Sequence, residues 1–206
     1  MAKRGSSGRW LDRQAKDVFV RKSRQDNYRA RSAYKLKDLN SKYKIIRRGY
    51  KVIELGAAPG GWSQVVVEVI GRQGRLIALD LLECEPLNSV QFIRGDCNSH
   101  AVKEELFEKL GSTRVDVVLS DMAPNISGIA LKDEASSIHL AETALDFSRN
   151  YLKKGGTLVL KLFEYPDTIQ FIKTVKTMFC EVIRTKPAAS RVESREFYVV
   201  ARGFGI

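Results

Sequence analysis

Residues Val52-Ile-Glu-Leu-Gly-Ala-Ala-Pro-Gly-Gly-Trp-Ser-Gln64 decide how the rest of the chain is read. The apolar run Val52–Leu55 suits a buried strand, and a helical pattern begins at about Trp62. Between them lies a turn of small residues, Gly56-Ala57-Ala58-Pro59-Gly60-Gly61. Such a turn lets a ligand approach backbone N–H groups and the N-terminus of the following helix. A dinucleotide fingerprint would place glycine where Ala58 stands and would not carry Pro59. A phosphate loop would close on Gly-Lys-Ser/Thr, and the turn contains no lysine. Close backbone approach without either phosphate signature points to S-adenosylmethionine, a nucleoside lacking pyrophosphate.

Outward from this turn, short apolar runs alternate with helical stretches. Strands are expected at Lys51–Leu55, Arg75–Leu79, Val90–Arg94, Val115–Ser120, Thr157–Leu162, Glu181–Thr185 and Glu196–Ala201. Helices are expected at Trp62–Ile70, Val102–Leu110, Ala135–Leu152 and Thr168–Phe179, with a further helical pattern from Asp12 to about Lys44. The alternation implies an α/β fold, a mostly parallel seven-stranded sheet with helices on both faces. The last two strands follow one another without a helix and predict an antiparallel hairpin at one edge. Two parts of one unit are expected: a basic extension over residues 1–48, beginning with a flexible arm at 1–10, and an α/β domain over 49–206. No pattern assigns a role to residues 127–139.

The net charge of +11, from 35 Lys and Arg against 24 Asp and Glu, is unevenly spread. Residues 1–50 hold sixteen basic and four acidic residues, a segment charge of +12, so the remainder sums to −1. A near-neutral body with one basic end fits a polyphosphate partner. Trp10, Val18, Phe19, Tyr28, Tyr34 and Leu36 are interleaved with the charges, so the segment can pack or stack as well as attract. Three scattered cysteines (Cys84, Cys97, Cys180) and two histidines have no metal-ligand spacing and fit a reducing cytoplasm. No run of 18 apolar residues suggests a membrane span, and the basic N-terminus lacks the apolar stretch of a secretory signal. No dimerisation heptad is present, and a monomer is expected.

In an open α/β sheet, ligands sit beyond the carboxyl ends of the strands. Three successive strands there end in aspartate: Asp80, Asp96 and Asp121. Asp80 lies about 20 residues past the glycine turn, where a carboxylate accepts ribose hydroxyls. Asp96 is placed to accept from an adenine amino group, with Cys97 against the ring. Asp121 opens Asp121-Met-Ala-Pro-Asn125. Lys161 interrupts the buried strand Thr157-Leu-Val-Leu-Lys-Leu162, so it must snorkel or be used. Lys35 and Glu196, read alone, are ordinary charged residues.

Taken together, these motifs resemble the FtsJ-type 2′-O-ribose methyltransferases, which modify a uridine of large-subunit ribosomal RNA. The resemblance runs from about Tyr28 to Val200 and rests on Leu55–Gln64, Ser120-Asp-Met-Ala-Pro-Asn125 and Ser194-Arg-Glu-Phe-Tyr198. It implies a Rossmann-like fold whose seventh strand is antiparallel. It also implies a catalytic tetrad at Lys35, Asp121, Lys161 and Glu196. Cofactor contacts are implied at Gly60, Trp62, Asp80, Asp96 and Asp121, to which the turn and strand ends add Gly56, Pro59 and Cys97. In methyl transfer to a 2′-hydroxyl, Lys161 would serve as base or as a charged orienter, with Asp121 as its partner. The expected substrate is ribosomal RNA or the large ribosomal subunit.

Three other readings compete. Transfer to tRNA ribose would use the same tetrad. Base N-methylation would want adjacent prolines and a stacking aromatic in the Asp121 motif, and would leave Lys161 idle. A non-catalytic ribosome-assembly factor would have no need of the candidate tetrad.

Overall fold

The computed structural model describes residues 17–205, so the arm expected at residues 1–10 lies outside the described residues. Seven strands form one sheet: β1 (Lys51–Leu55), β2 (Arg75–Asp80), β3 (Val90–Arg94), β4 (Val115–Ser120), β5 (Leu152–Phe163), β6 (Phe179–Thr185) and β7 (Glu196–Phe204). Among the described residues six helices accompany them: α1 (Val18–Gln25), α2 (Ala33–Tyr43), α3 (Gly61–Ile70), α4 (His100–Leu110), α5 (Ala130–Tyr151) and α6 (Pro166–Lys176). The strand order is β3-β2-β1-β4-β5-β7-β6. All pairings are parallel except those of β7, which runs antiparallel to both β5 and β6. The expected hairpin is present at the sheet edge, with β7 inside and β6 outermost.

Alternate residues of each strand feed two cores. Ile53, Leu55, Ile77, Leu79, Val118 and Leu160 face one side, where α4, α5 and α6 contribute Leu106, Leu145 and Phe171. Val52, Leu76, Ala78, Val117, Val159 and Val200 face the other, where α3 contributes Trp62, Val65 and Val66. The basic extension packs into that second core through Tyr28, Ala33, Tyr34, Leu36, Leu39, Ile45 and Ile46. Burying a side chain such as Leu36 or Leu39 contributes about 2 kcal/mol each, so this part of the chain is a layer of the fold.

Several expected boundaries shift. The helical pattern expected from Asp12 to about Lys44 lies outside the described residues up to 16, and from residue 17 on it is two helices. α1 is capped by Asp17, whose Oδ1 accepts from Phe19 N–H at 3.0 Å, and is stopped after Asp26, with Asn27 at φ 57°. α5 starts at Ala130, five residues before the expected Ala135. Asp133 in its first turn accepts from Ser127 N–H (2.8 Å), Ser127 Oγ–H (2.7 Å) and Gly128 N–H (3.1 Å). The stretch 127–139, without an assignable role in the sequence, is therefore a braced loop and the opening of a helix. α6 ends at Lys176 instead of Phe179, because Phe179 already pairs with Phe204 in the sheet.

Candidate active site

β1 has β2 on one side and β4 on the other, so the chain reverses its winding direction at β1/β4. A cleft of ≈ 550 Å³ opens there, at the carboxyl ends of the strands. Gly56, Asp80, Asp96, Cys97 and Asp121, all expected as site residues, line it. Leu81, Leu82, Met122, Asn125 and His139 also line it, residues to which the sequence by itself assigns no role. A second groove, ≈ 360 Å³, runs between α5 and α6 and contains no strand-end residue.

The turn after β1 is held from below. Gly56 and Ala57 N–H donate to Leu79 O at 2.9 and 3.1 Å, and Ala58 N–H donates to Asp80 Oδ2 at 2.8 Å. Asp80 Oδ1 accepts from Leu82 N–H at 2.8 Å, so this carboxylate is oriented before any ligand arrives. Asp96 Oδ1 is similarly fixed by Asn98 N–H at 2.8 Å. Gly56 has φ +76°, and a Cβ there would lie 2.9 Å from Met122 N, so glycine is required for conformation and for space. Burial, followed by the neighbouring Asp96 charge, raises the Cys97 thiol pKa, which suits a packing contact and not a nucleophile.

Pro59, Gly60 and Trp62 are absent from the lining of the cleft. Trp62 is only 2% exposed. Its Nε1–H donates to Ser32 O at 2.8 Å, and its ring lies 5.8 Å from that of Tyr198. Its indole therefore braces the extension against the sheet, leaving only backbone for a cofactor.

Lys35, Asp121, Lys161 and Glu196 come together beside the cleft from α2, the end of β4, β5 and β7. Lys161 Nζ donates to Asp121 O at 2.6 Å and lies 3.1 Å from Asp121 Oδ1. Lys35 Nζ is ion-paired with Glu196 Oε1. Tyr198 joins the two pairs: its hydroxyl donates to Asp121 Oδ1 at 2.6 Å, and Lys35 Nζ sits 5.7 Å from its ring centroid. Tyr198 is directly opposite Lys161 in the β5–β7 register, so both side chains project from the same face. Burial raises the Tyr198 pKa well above its ordinary value, helped by the charges of Asp121 and Glu196, which keeps the hydroxyl a donor. Its place in Ser194-Arg-Glu-Phe-Tyr198, two residues after Glu196, was the available sequence signal.

Glu54, one residue before the end of β1, is fully buried. Ser63 Oγ donates to its Oε2 at 2.6 Å, while Oε1 has no partner among the described residues. Burial raises its pKa most, the Ser63 hydrogen bond opposes, and Asp121 and Asp80 add to the rise, leaving it at about 8. Three carboxyl groups thus crowd one end of the sheet: Glu54 keeps its proton near neutral pH, and Asp80 and Asp121 face the cleft, where they suit a cationic ligand.

A model of the FtsJ-like methyltransferase family matches residues 28–204. The protein named ribosomal RNA large subunit methyltransferase E from Stutzerimonas stutzeri is 45% identical over 204 residues, covering 99% of both chains. Its namesake from Dichelobacter nodosus is 46% identical over 205 residues, covering 99% of this chain and 98% of that one. A crystal structure from Plasmodium falciparum, described as a ribosomal RNA methyltransferase, superposes with TM-score 0.78 at 30% identity, covering 86% of this chain and 98% of that one. Aeropyrum pernix fibrillarin, solved with S-adenosyl-L-methionine, shares the fold at TM-score 0.57 and 17% identity over 84% of this chain and 75% of its own.

Proposed function

We infer what this chain does from the premise that it belongs to the FtsJ-like methyltransferase family: it methylates a ribose 2′-hydroxyl, on a uridine of large-subunit ribosomal RNA, using S-adenosylmethionine. The observation that carries this reading is the convergence of Lys35, Asp121, Lys161 and Glu196 around Tyr198 at the edge of the strand-end cleft. The cleft suits the cofactor. Asp80 is pre-oriented for ribose hydroxyls, and Asp96 with Cys97 faces the place of a base. The carboxylates of Asp80 and Asp121, which line the cleft, favour a ligand bearing an ammonium and a sulfonium. Gly56 and the backbone of Pro59, Gly60 and Trp62 complete the proposed cofactor site.

When bound, the cofactor supplies an electrophilic methyl group. In-line attack by the ribose oxygen would form a C–O bond as the methyl carbon–sulfur bond breaks, the bonding pair returning to sulfur to leave a neutral thioether, and the hydroxyl proton must be taken up by the protein. We assign proton acceptance to Lys161. Its Nζ donates to Asp121 O and lies 3.1 Å from Asp121 Oδ1, and as an unprotonated amine it would offer a lone pair to the hydroxyl proton. The ammonium formed on taking the proton is held by the same two acceptors. Tyr198 fixes Asp121, and the Lys35–Glu196 pair positions the nucleotide.

The basic extension is the proposed docking surface for RNA, and the protein is proposed to act as a monomer in the cytoplasm. Among the described residues no helix is long and apolar enough to cross a membrane. The names of the full-length relatives favour ribosomal RNA over tRNA. The test is methyl incorporation from radiolabelled S-adenosylmethionine into undermethylated large subunits, free ribosomal RNA and bulk tRNA in parallel, with nuclease mapping of the product. Label on a ribose of large-subunit RNA is expected. Label on tRNA alone would overturn the substrate, and no label with cofactor still bound would make the chain a non-catalytic binding protein.

A further inference from the structure

Arg29 is one of the sixteen basic residues in the first fifty, and by composition alone it belongs to the RNA-docking surface. Its guanidinium is committed elsewhere. Nη1 donates to Glu85 O at 2.7 Å and to Pro59 O at 3.4 Å, and Nη2 donates to Pro86 O at 2.9 Å. The acceptors come from two separate segments: the turn after β1 and the β2–β3 loop, whose first residues, Leu81 and Leu82, line the cofactor cleft. The seat for this side chain is Gly60. A Cβ on Gly60 would stand 2.8 Å from Arg29 Nη1, so glycine there admits the arginine. The backbone of Arg29 is fixed as well, since its N–H donates to Gln64 Oε1 at 2.8 Å while Gln64 Nε2 donates to Asn27 O at 2.9 Å.

Resting on the proposed methyltransferase activity, we propose that Arg29 is a positioning residue of the cofactor site, clamping the β2–β3 loop onto the Gly56–Gly61 turn. A planar guanidinium satisfies carbonyls in two segments at once, whereas a lysine ammonium acts as a single point charge. The clamp keeps Leu81 and Leu82 against the cofactor cleft and preserves the Ala58–Asp80–Leu82 hydrogen bonds. It also ties the extension to the cofactor site, so distortion of the extension on RNA binding and cofactor affinity are reciprocally linked.

The test compares Arg29→Met and Arg29→Lys with Arg24→Met, an exposed arginine of the same extension. Cofactor affinity is measured calorimetrically with S-adenosylmethionine on the full chain without RNA, RNA affinity by filter binding, and kcat and KM on undermethylated subunits. Losing a hydrogen bond from a charged group costs about tenfold or more in an equilibrium. Arg29→Met is therefore expected to weaken cofactor binding and raise KM for it by roughly that factor, with kcat at saturating cofactor and RNA affinity retained. Arg29→Lys should restore part of the loss, and Arg24→Met should weaken RNA alone. Unchanged cofactor affinity with reduced RNA affinity in Arg29→Met would overturn the clamp and make Arg29 an RNA contact. Should Arg29→Met not fold, the charge-preserving Arg29→Lys decides between the same two outcomes. A wild-type chain that binds no S-adenosylmethionine would instead overturn the proposed activity.

Discussion

The chemistry proposed here depends on single atoms held by neighbours from distant parts of the chain. Lys161→Ala removes the proposed proton acceptor but leaves the cleft lining intact, so methyl transfer should be abolished while calorimetric cofactor affinity is kept; a parallel loss of affinity would sink the assignment. Tyr198→Phe deletes only the donor to Asp121 Oδ1. A buried hydrogen bond to a charged acceptor is worth about 1.5–3 kcal/mol, so kcat should fall by roughly one to two orders of magnitude. KM for the cofactor should change far less, a split that general destabilisation would not produce. Glu54 has its effect through protons. Its folded pKa, about 8, lies above the ordinary carboxyl value, so the folded chain binds the proton more tightly than the unfolded one. Stability should therefore decline as pH rises from about 4.5 to about 8, with a limiting slope of about 1.4 kcal/mol per pH unit from this group. Urea unfolding across that range should show a shallower decline in Glu54→Gln; an unchanged slope would mean that Glu54 is ionised throughout.

At the level of elements, the turn between β1 and α3 and the loop between β4 and α5 both line the cleft and meet at Gly56 and Met122, and each depends on a small set of local interactions. Gly56→Ala would place a methyl group 2.9 Å from Met122 N at a φ of +76°. The backbone of one segment must move, at a cost of about 1–3 kcal/mol. Because both segments line the cleft, cofactor affinity should fall along with Tm, in contrast to Tyr198→Phe. Asp133 secures the β4–α5 loop, and the hydrogen bonds from Ser127 hold its carboxyl below the ordinary range. Its contribution is present in full above the unfolded carboxyl pKa and is lost as pH falls through the lowered folded value. Hydrogen exchange at Ser127 and Gly128 should accelerate in Asp133→Ala at neutral pH. The loop was unreadable in the sequence for a physical reason: its order comes from a helix residue turning back on it, and no periodicity records such a contact.

For the molecule as a whole, charge and packing make separate demands on the extension. A docking surface of net charge +12 should bind RNA with a steep salt dependence, losing several orders of magnitude between 50 and 200 mM salt if six or more phosphates are neutralised. Cofactor affinity should barely respond. RNA affinity that stayed flat over that range would exclude the extension as the docking surface. The same extension supplies Tyr34, Leu36 and Leu39 to the core that includes Val52, Trp62 and Val200. A chain starting at residue 49 should therefore lose cooperative thermal unfolding; a sharp transition in such a chain would show that the α/β part stands alone. Local sequence was enough for strand and helix alternation, the small-residue turn at Gly56–Gly61, the aspartates at or just past strand ends (Asp80, Asp96 and Asp121), and the imbalance of charge. Each of these follows from periodicity or residue type over a few neighbours. Tertiary structure alone decided that Tyr198 orients Asp121 across a separation of 77 residues, that Arg29 reaches Glu85 across 56, and that Trp62 braces the extension through Ser32. It also decided that Glu54 is buried among carboxylates. Those outcomes depend on which segments the sheet order and the two cores bring into contact, and short-range propensity carries no information about partners so far along the chain.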